Sequence, residues 1–200
     1  RRPTKPTIRL HSQLTLCMIG DQPNTHVDLM SHRTYLLLAL AASFLLSGCF
    51  FSETPKFAPE NGVPALGEGG RYQSYQRLSD GQYKKDEVIV VKRRTDGGYD
   101  WIDEKNEAQR ISFHAIANGY HVVQAHEKKN PAYAYAVVRI SGNEVQVFVP
   151  ACDAQDKSML LRLRVTLNRE YECMIDRVID PEEFFASVKL GESTSKLVRE

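Results

Sequence analysis

The sequence predicts an α+β fold: predominantly an antiparallel β meander, either a curled sheet or a small barrel, with one or two C-terminal helices. Three observations carry that expectation. Between residues 87 and 149, strand-like runs alternate with the turn signals Asp96-Gly97, Asn118-Gly119 and Gly142-Asn143. Asp-Gly and Asn-Gly supply the positive φ values that tight hairpins need, and runs rich in Val, Ile, Tyr and Phe flank each turn. Around the third turn, Ala134, Ala136, Val138 and Ile140 share a face with Val145, Val147 and Val149, an apolar side that requires a core. After Pro150 the period-two pattern gives way, and Asp180-Pro181-Glu182-Glu183 reads as a helix start. There the aspartate can cap, proline suits the first position, and two acids sit at the positive end of the helix dipole.

From the N-terminus, residues 1–29 combine prolines and scattered polar groups without a sustained period, and they are expected to be a non-native upstream extension, a stretch with Cys17 in it that is never made or is removed. Its basic side chains, Arg1, Arg2, Lys5 and Arg9, do not form the cluster that a headgroup-binding arm requires. Met30 opens a different pattern. His32 and Arg33 give a modest positive start, Tyr35 to Leu46 is apolar but for Ser43, and small residues lead into Leu46-Ser47-Gly48-Cys49. The apolar run is far short of the roughly 20 residues that a membrane-crossing helix needs, and it fits the core of a cleaved signal.

Residues 30–48 resemble the signal peptide of the bacterial lipoprotein class, closed by a lipobox. The resemblance covers Met30 to Cys49 and is silent about the domain that follows. It implies that Met30 is the start, that Leu46, Ser47 and Gly48 are read by the lipoprotein signal peptidase, and that cleavage leaves Cys49 first, with a diacylglyceryl thioether and an acylated amino group. The lipid bilayer is then a partner through Cys49, since two or more acyl chains anchor stably where one holds only marginally. In this class the residue after the cysteine influences sorting. Here it is Phe50 and not Asp, which implies the outer membrane, facing the periplasm of the cell envelope.

Residues 49–70 hold three prolines and four glycines after Cys49 and are expected to be a lipidated tether. The single β-rich domain is expected over 71–191, and 192–200 as a frayed tail. Without the first 48 residues the chain has 21 basic and 23 acidic side chains, a formal charge of −2. This balance, with no basic cluster, argues against nucleic acid as a partner. Two cysteines remain in the domain, Cys152 and Cys173. In an oxidising compartment a disulfide between them is the economical reading, and no CxxC spacing or nearby histidine supplies the further ligands that zinc requires.

Within the domain, Arg71 to Gln76 reads as a weak strand or entry turn. The hairpins are then Glu87–Arg94 with Tyr99–Asp103, Gln109–Ile116 with Tyr120–His126, and Tyr133–Ile140 with Glu144–Val149. If Asn118-Gly119 is a two-residue loop, Ile111, Phe113, Ala115, Tyr120 and Val122 form an apolar face, and Ser112, His114, Ile116, His121 and Val123 lie opposite. The second face of the third hairpin, with Tyr133, Tyr135, Val137 and Phe148, is apolar enough to need a cover. Ser158 to Leu167 matches both a helical stripe and a strand alternation. Its Met, Leu and Arg content and a capping Ser158 favour helix. A short strand near Tyr171 to Ile175 is expected to return Cys173 to the sheet, and the last helix to run to about Leu190, burying Phe184, Phe185 and Val188.

For chemistry, His114 and His121 share a face in that register and are a candidate metal pair; no third ligand is apparent, His126 falling on the other face, and no cofactor is expected. Asp100, Asp103, Glu104 and Glu107 surround Trp101 but lack the ligand spacing of a calcium loop. No G-x-S-x-G elbow, phosphate-binding loop, dinucleotide glycine fingerprint or HExxH pair occurs in the sequence. The first functional expectation is a noncatalytic envelope lipoprotein that binds another envelope component, an envelope protein being the expected partner. The alternatives are a lipocalin-like carrier of a small apolar ligand and a metal-dependent hydrolase using His114 and His121.

Overall fold

The computed structural model describes residues 50–126, 132–167 and 173–200. A short strand β1 (Phe50–Ser52) precedes seven strands that run up and down in chain order: β2 (Gly69–Arg77), β3 (Tyr83–Arg93), β4 (Tyr99–Ile102), β5 (Ala108–Ala115), β6 (Tyr120–His126), β7 (Tyr133–Ser141) and β8 (Glu144–Phe148). Helix α1 (Lys157–Arg162), β9 (Thr166–Leu167), β10 (Cys173–Met174), helix α2 (Pro181–Ser187) and β11 (Ser195–Arg199) follow. β11 pairs antiparallel with β8 on one side and β2 on the other. It thereby closes an eight-stranded antiparallel barrel in the order β2-β3-β4-β5-β6-β7-β8-β11. Along β7, Val137 to Ser141 pair with β8, while Tyr133 to Tyr135 pair with β1. β1 in turn carries β10 and β9 as a small extension outside the barrel.

Loop length at each turn sets which side chains face inward. Gly142-Asn143 is a two-residue turn that pairs Ser141 with Glu144 and Ile140 with Val145, as the alternation predicts. At the second hairpin the loop holds three residues, Ala117 to Gly119. Ala115 pairs with His121, the Ile116 N–H donates to the Tyr120 carbonyl at 2.9 Å, and Asn118 takes φ 62°. One added residue slides β6 by one position and turns all its side chains over. Val123 therefore joins Phe113 inside the barrel, and Val122 faces outward beside His114.

The alternation supplies two cores back to back. Inside the barrel, Tyr72, Ile89, Val91, Tyr99, Ile111, Phe113, Val123, Val138, Val145, Val147 and Leu197 fill the lumen. Against its outer wall, Val122, Tyr135, Val137 and Phe148 meet Phe50, Phe57, Leu160, Val165, Phe184, Phe185 and Val188. The cover expected over the third hairpin is thus the two helices and the N-terminal segment. Phe50 makes edge contacts with Phe184 at 5.1 Å and Phe185 at 6.1 Å, and Phe184 and Phe185 meet at 4.9 Å.

Two expected boundaries change. Residues 50–70 are not a tether. Phe50, Phe51 and Ser52 are all buried, as are Phe57 and Leu66. A buried polar network clamps the segment: Gln124 Oε1 accepts from the N–H groups of Lys56 (2.9 Å) and Phe57 (3.0 Å), and Nε2 donates to the Phe57 carbonyl (3.0 Å). The Tyr135 hydroxyl accepts from Lys56 N–H at 3.1 Å and lies 2.7 Å from Ser52 Oγ. Residues 192–200 are not frayed either, because they carry β11. Its seam is reinforced by Lys196 to Glu144 at 3.1 Å, on flanking β8.

Helix and strand share the ambiguous stretch: α1 ends at Arg162 and β9 begins at Thr166. Asp156, and not Ser158, caps α1 by accepting the N–H groups of Ser158 (2.7 Å) and Met159 (3.3 Å). At its other end Arg164 N–H donates to Leu161 and Val165 N–H to Leu160, with Leu160 and Val165 both buried. This closure places Arg164 at φ 61°, where glycine is usual. Arg164→Gly is expected to raise stability by about 1 kcal/mol, measured as a higher urea midpoint with an unchanged slope; an unchanged or lower midpoint would show that the arginine is not strained. The last helix stops at Ser187, sooner than expected, yet buries Phe184, Phe185 and Val188 as its pattern predicts, with Asp180 accepting Glu183 N–H at 2.9 Å.

Candidate functional site

Cys152 and Cys173 form a disulfide, with Cα atoms 5.7 Å apart and both residues buried. It ties the segment leaving β8 to β10, and so fastens the α1–β9–β10 extension to the barrel. Leu46, Ser47, Gly48 and Cys49 lie outside the described residues. Phe50, the residue after Cys49, is already in β1 and fully buried.

His114 and His121 do not converge. The three-residue turn puts His114 on the outer wall, opposite Val122, and His121 on the inner face with Val123. A β wall therefore separates the two imidazoles. His126 falls on the outer face with His114, a correction to the expected register. It lies opposite Arg110, four residues along β5 from His114, or about 13 Å. Among the described residues no group of three or more His, Cys, Asp or Glu side chains is placed to hold a metal ion.

His114 instead has a structural setting. Its ring stacks on Phe57 at 4.6 Å, Nε2 lies 2.8 Å from Ser112 Oγ, and burial pushes its pKa down to about 4. It is neutral at neutral pH. His121 is also lowered by burial, and its Nδ1 is buried without a hydrogen-bond partner. On β3, which shifts register against β2 between Gln73 and Tyr75, burial raises Glu87 to about 7, with Asp86, Asp103 and Glu104 adding repulsion. Asp86 is raised as well, first by burial. The acidic run around Trp101 is accounted for by the fold: Asp100 pairs with Arg94 (3.1 Å), Asp103 accepts the N–H groups of Lys105 (2.9 Å) and Glu107 (2.8 Å), and Glu104 accepts Val88 N–H (3.0 Å).

Two volumes among the described residues bear on ligand binding. Inside the barrel, a cavity of about 30 Å³ remains among Trp101, Phe113, Val138, Val147 and Leu197. That holds one or two waters at most. On the outer wall, a cleft of about 560 Å³ lies between Lys56 to Val63, His114 and Ala115, and Ile179 to Glu182 at the start of α2. Its size is that of a small-molecule site, and Ile179, 78% exposed, forms part of its rim. Lys56 Nζ donates to the carbonyls of Asp176 (2.6 Å) and Val178 (3.2 Å) and keeps its positive charge, so the cleft is lined by that cation and by the carboxylates of Asp180 and Glu182. The cleft and the Gln124–Tyr135 network were not legible in the sequence, because both depend on residues 52–63 folding back onto the barrel.

No protein-family model matches the chain, and no curated protein or solved structure is significantly similar to it.

Proposed function

We propose that this protein is a lipid-anchored lipoprotein of the bacterial cell envelope, held at the outer membrane through acylated Cys49, whose barrel is a noncatalytic binding or structural module. The observation that carries this reading is the Leu46-Ser47-Gly48-Cys49 motif standing one residue before a folded body. The buried Cys152–Cys173 disulfide supports an oxidising compartment such as the periplasm. A hydrolase built on His114 and His121 has no support, since the two rings face opposite sides of the wall.

A lipocalin-like carrier is the second reading, favoured by the closed eight-stranded barrel. Its difficulty is volume: an interior of about 30 Å³ is an order of magnitude below the roughly 300 Å³ at which ligand pockets begin. Any small ligand is better matched to the outer cleft. A hydrophobic fluorescent probe separates the two readings, because uptake that Val138→Trp blocks would place the ligand in the lumen.

Intact-mass spectrometry of the protein from its native membrane, with and without reduction and beside Cys49→Ala, tests the anchor. The expected mass begins at Cys49, carries acyl chains, and gains about two hydrogens on reduction of the one disulfide. A mass that retains residues before Cys49 and has no lipid overturns the reading.

A further inference from the structure

We infer that the α1–β9 extension is a membrane-docking surface, which seats the body against an anionic lipid bilayer and does not let it swing free on a tether. The inference deepens the lipoprotein reading and rests on it. Three observations carry it. First, the anchor has no slack. Phe50 is fully buried between β7 and β10, so acyl chains on Cys49 leave the body within one residue of a fixed strand, about 4 Å of chain. Whatever surrounds that exit must lie close to the membrane.

Second, the register shows what surrounds it. Phe50 pairs with Cys173, and Cys173 pairs with Leu167. Leu167 therefore lies in the same row as Phe50, two strand spacings or about 10 Å away. It is 62% exposed, and Leu161 on α1 is 77% exposed. Large apolar side chains are exposed at only two other described positions, Leu78 and Ile179. Leu167, which the fold leaves bare in the row of Phe50, and Leu161 on the same extension can enter the acyl chains at the headgroup boundary, where apolar area adds to membrane affinity.

Third, the charge is complementary. Residues 157–167, which follow the exposed cap Asp156, carry Lys157, Arg162 and Arg164 and no acid of their own, although the chain from Cys49 onward is net negative. All three cations are exposed. Arg162 meets Glu183 only at 3.8 Å, with both side chains well exposed, a pair that water and salt weaken. Leucines flanked by cations match an anionic bilayer surface better than a protein groove, since each basic residue near such a surface contributes about 1 kcal/mol. The disulfide between Cys152 and Cys173 holds this extension rigidly to the barrel, so docking would fix the orientation of the whole body and keep the outer cleft at a set height.

The test uses the mature lipidated protein in vesicles of phosphatidylethanolamine and phosphatidylglycerol containing acyl-brominated lipid. A fluorophore is placed in turn at Leu161→Cys, Leu167→Cys and, as reference in the β2–β3 turn, Leu78→Cys. Acylation of Cys49 is established by mass beforehand. Strong quenching at positions 161 and 167 with little at 78 is the expected result. Arg162→Gln and Arg164→Gln should each lower the docked-to-undocked ratio about fivefold on these vesicles, and not on neutral phosphatidylcholine. Equally weak quenching at all three positions in acylated protein overturns the docking surface while leaving the anchor intact. An unacylated Cys49 overturns the anchor itself, and is seen before any vesicle is made.

Discussion

Phe50→Ala is expected to destabilise the protein by about 3–5 kcal/mol, measured as the loss in urea unfolding free energy. The residue is fully buried and its ring meets Phe184 and Phe185 edge-on. Removing it opens a cavity where β1, α2 and the outer wall of the barrel meet, and the neighbouring rings are held by other contacts that limit collapse: Phe185 also packs on Phe57 at 6.1 Å and Tyr135 at 5.5 Å. The comparison is with Glu53→Ala, an exposed side chain of the same segment, whose effect should stay within about 0.5 kcal/mol. If both variants unfold at the wild-type midpoint, residues 50–57 are a tether after all, and the docking surface loses its fixed attachment.

The second large effect is hidden in the wild type and is exposed by substitution. His114, with a pKa near 4 in the fold against about 6.5 unfolded, contributes stability that is complete above pH 6.5 and is lost as pH falls toward 4. Glu87, near 7 in the fold against 4.5, contributes stability that is complete below pH 4.5 and is lost as pH rises toward 7. For buried His114 the shift corresponds to about 3 kcal/mol, and for partly exposed Glu87 to less, because solvent screens its charge. Between pH 4.5 and 6.5 the two run in opposite directions, and Asp86 and His121 add smaller contributions to either side. Wild-type stability should therefore vary less across that window than that of a variant lacking either group. His114→Phe, which keeps a ring against Phe57, should make the protein gain stability on acidification; Glu87→Gln should make it lose stability. Urea midpoints at a series of pH values decide the matter. Parallel profiles for all three proteins would show that neither group is held at the pKa its burial implies.

The structure separates what local sequence carries from what it does not. The three hairpins, the inward row from Ala134 to Val149, the Asp180 cap and the Cys152–Cys173 link were all legible. Each depends on residues near in sequence, or on the only two cysteines in the domain. The second hairpin shows the limit. Asn118-Gly119 marks a turn correctly, but whether its loop holds two residues or three is decided by which strand face the rest of the barrel buries. The two histidines were paired on that one-residue uncertainty.

By itself, the sequence determined that this chain is a β meander followed by a capped helix, with a lipobox-like motif ahead of it. Only the tertiary structure decided that the meander closes. Ser195 to Arg199 holds two apolar residues, too few to announce a strand. Its strand identity comes from backbone groups left unpaired on β8 and β2, which bond it on both edges and bury Leu197 in the lumen. Phe50 to Ser52 is strand for the same reason, since the free edge of β7 beyond β8 supplies its partner. Closure energy comes from pairing and burial against distant segments, and a short run of residues carries no record of those partners.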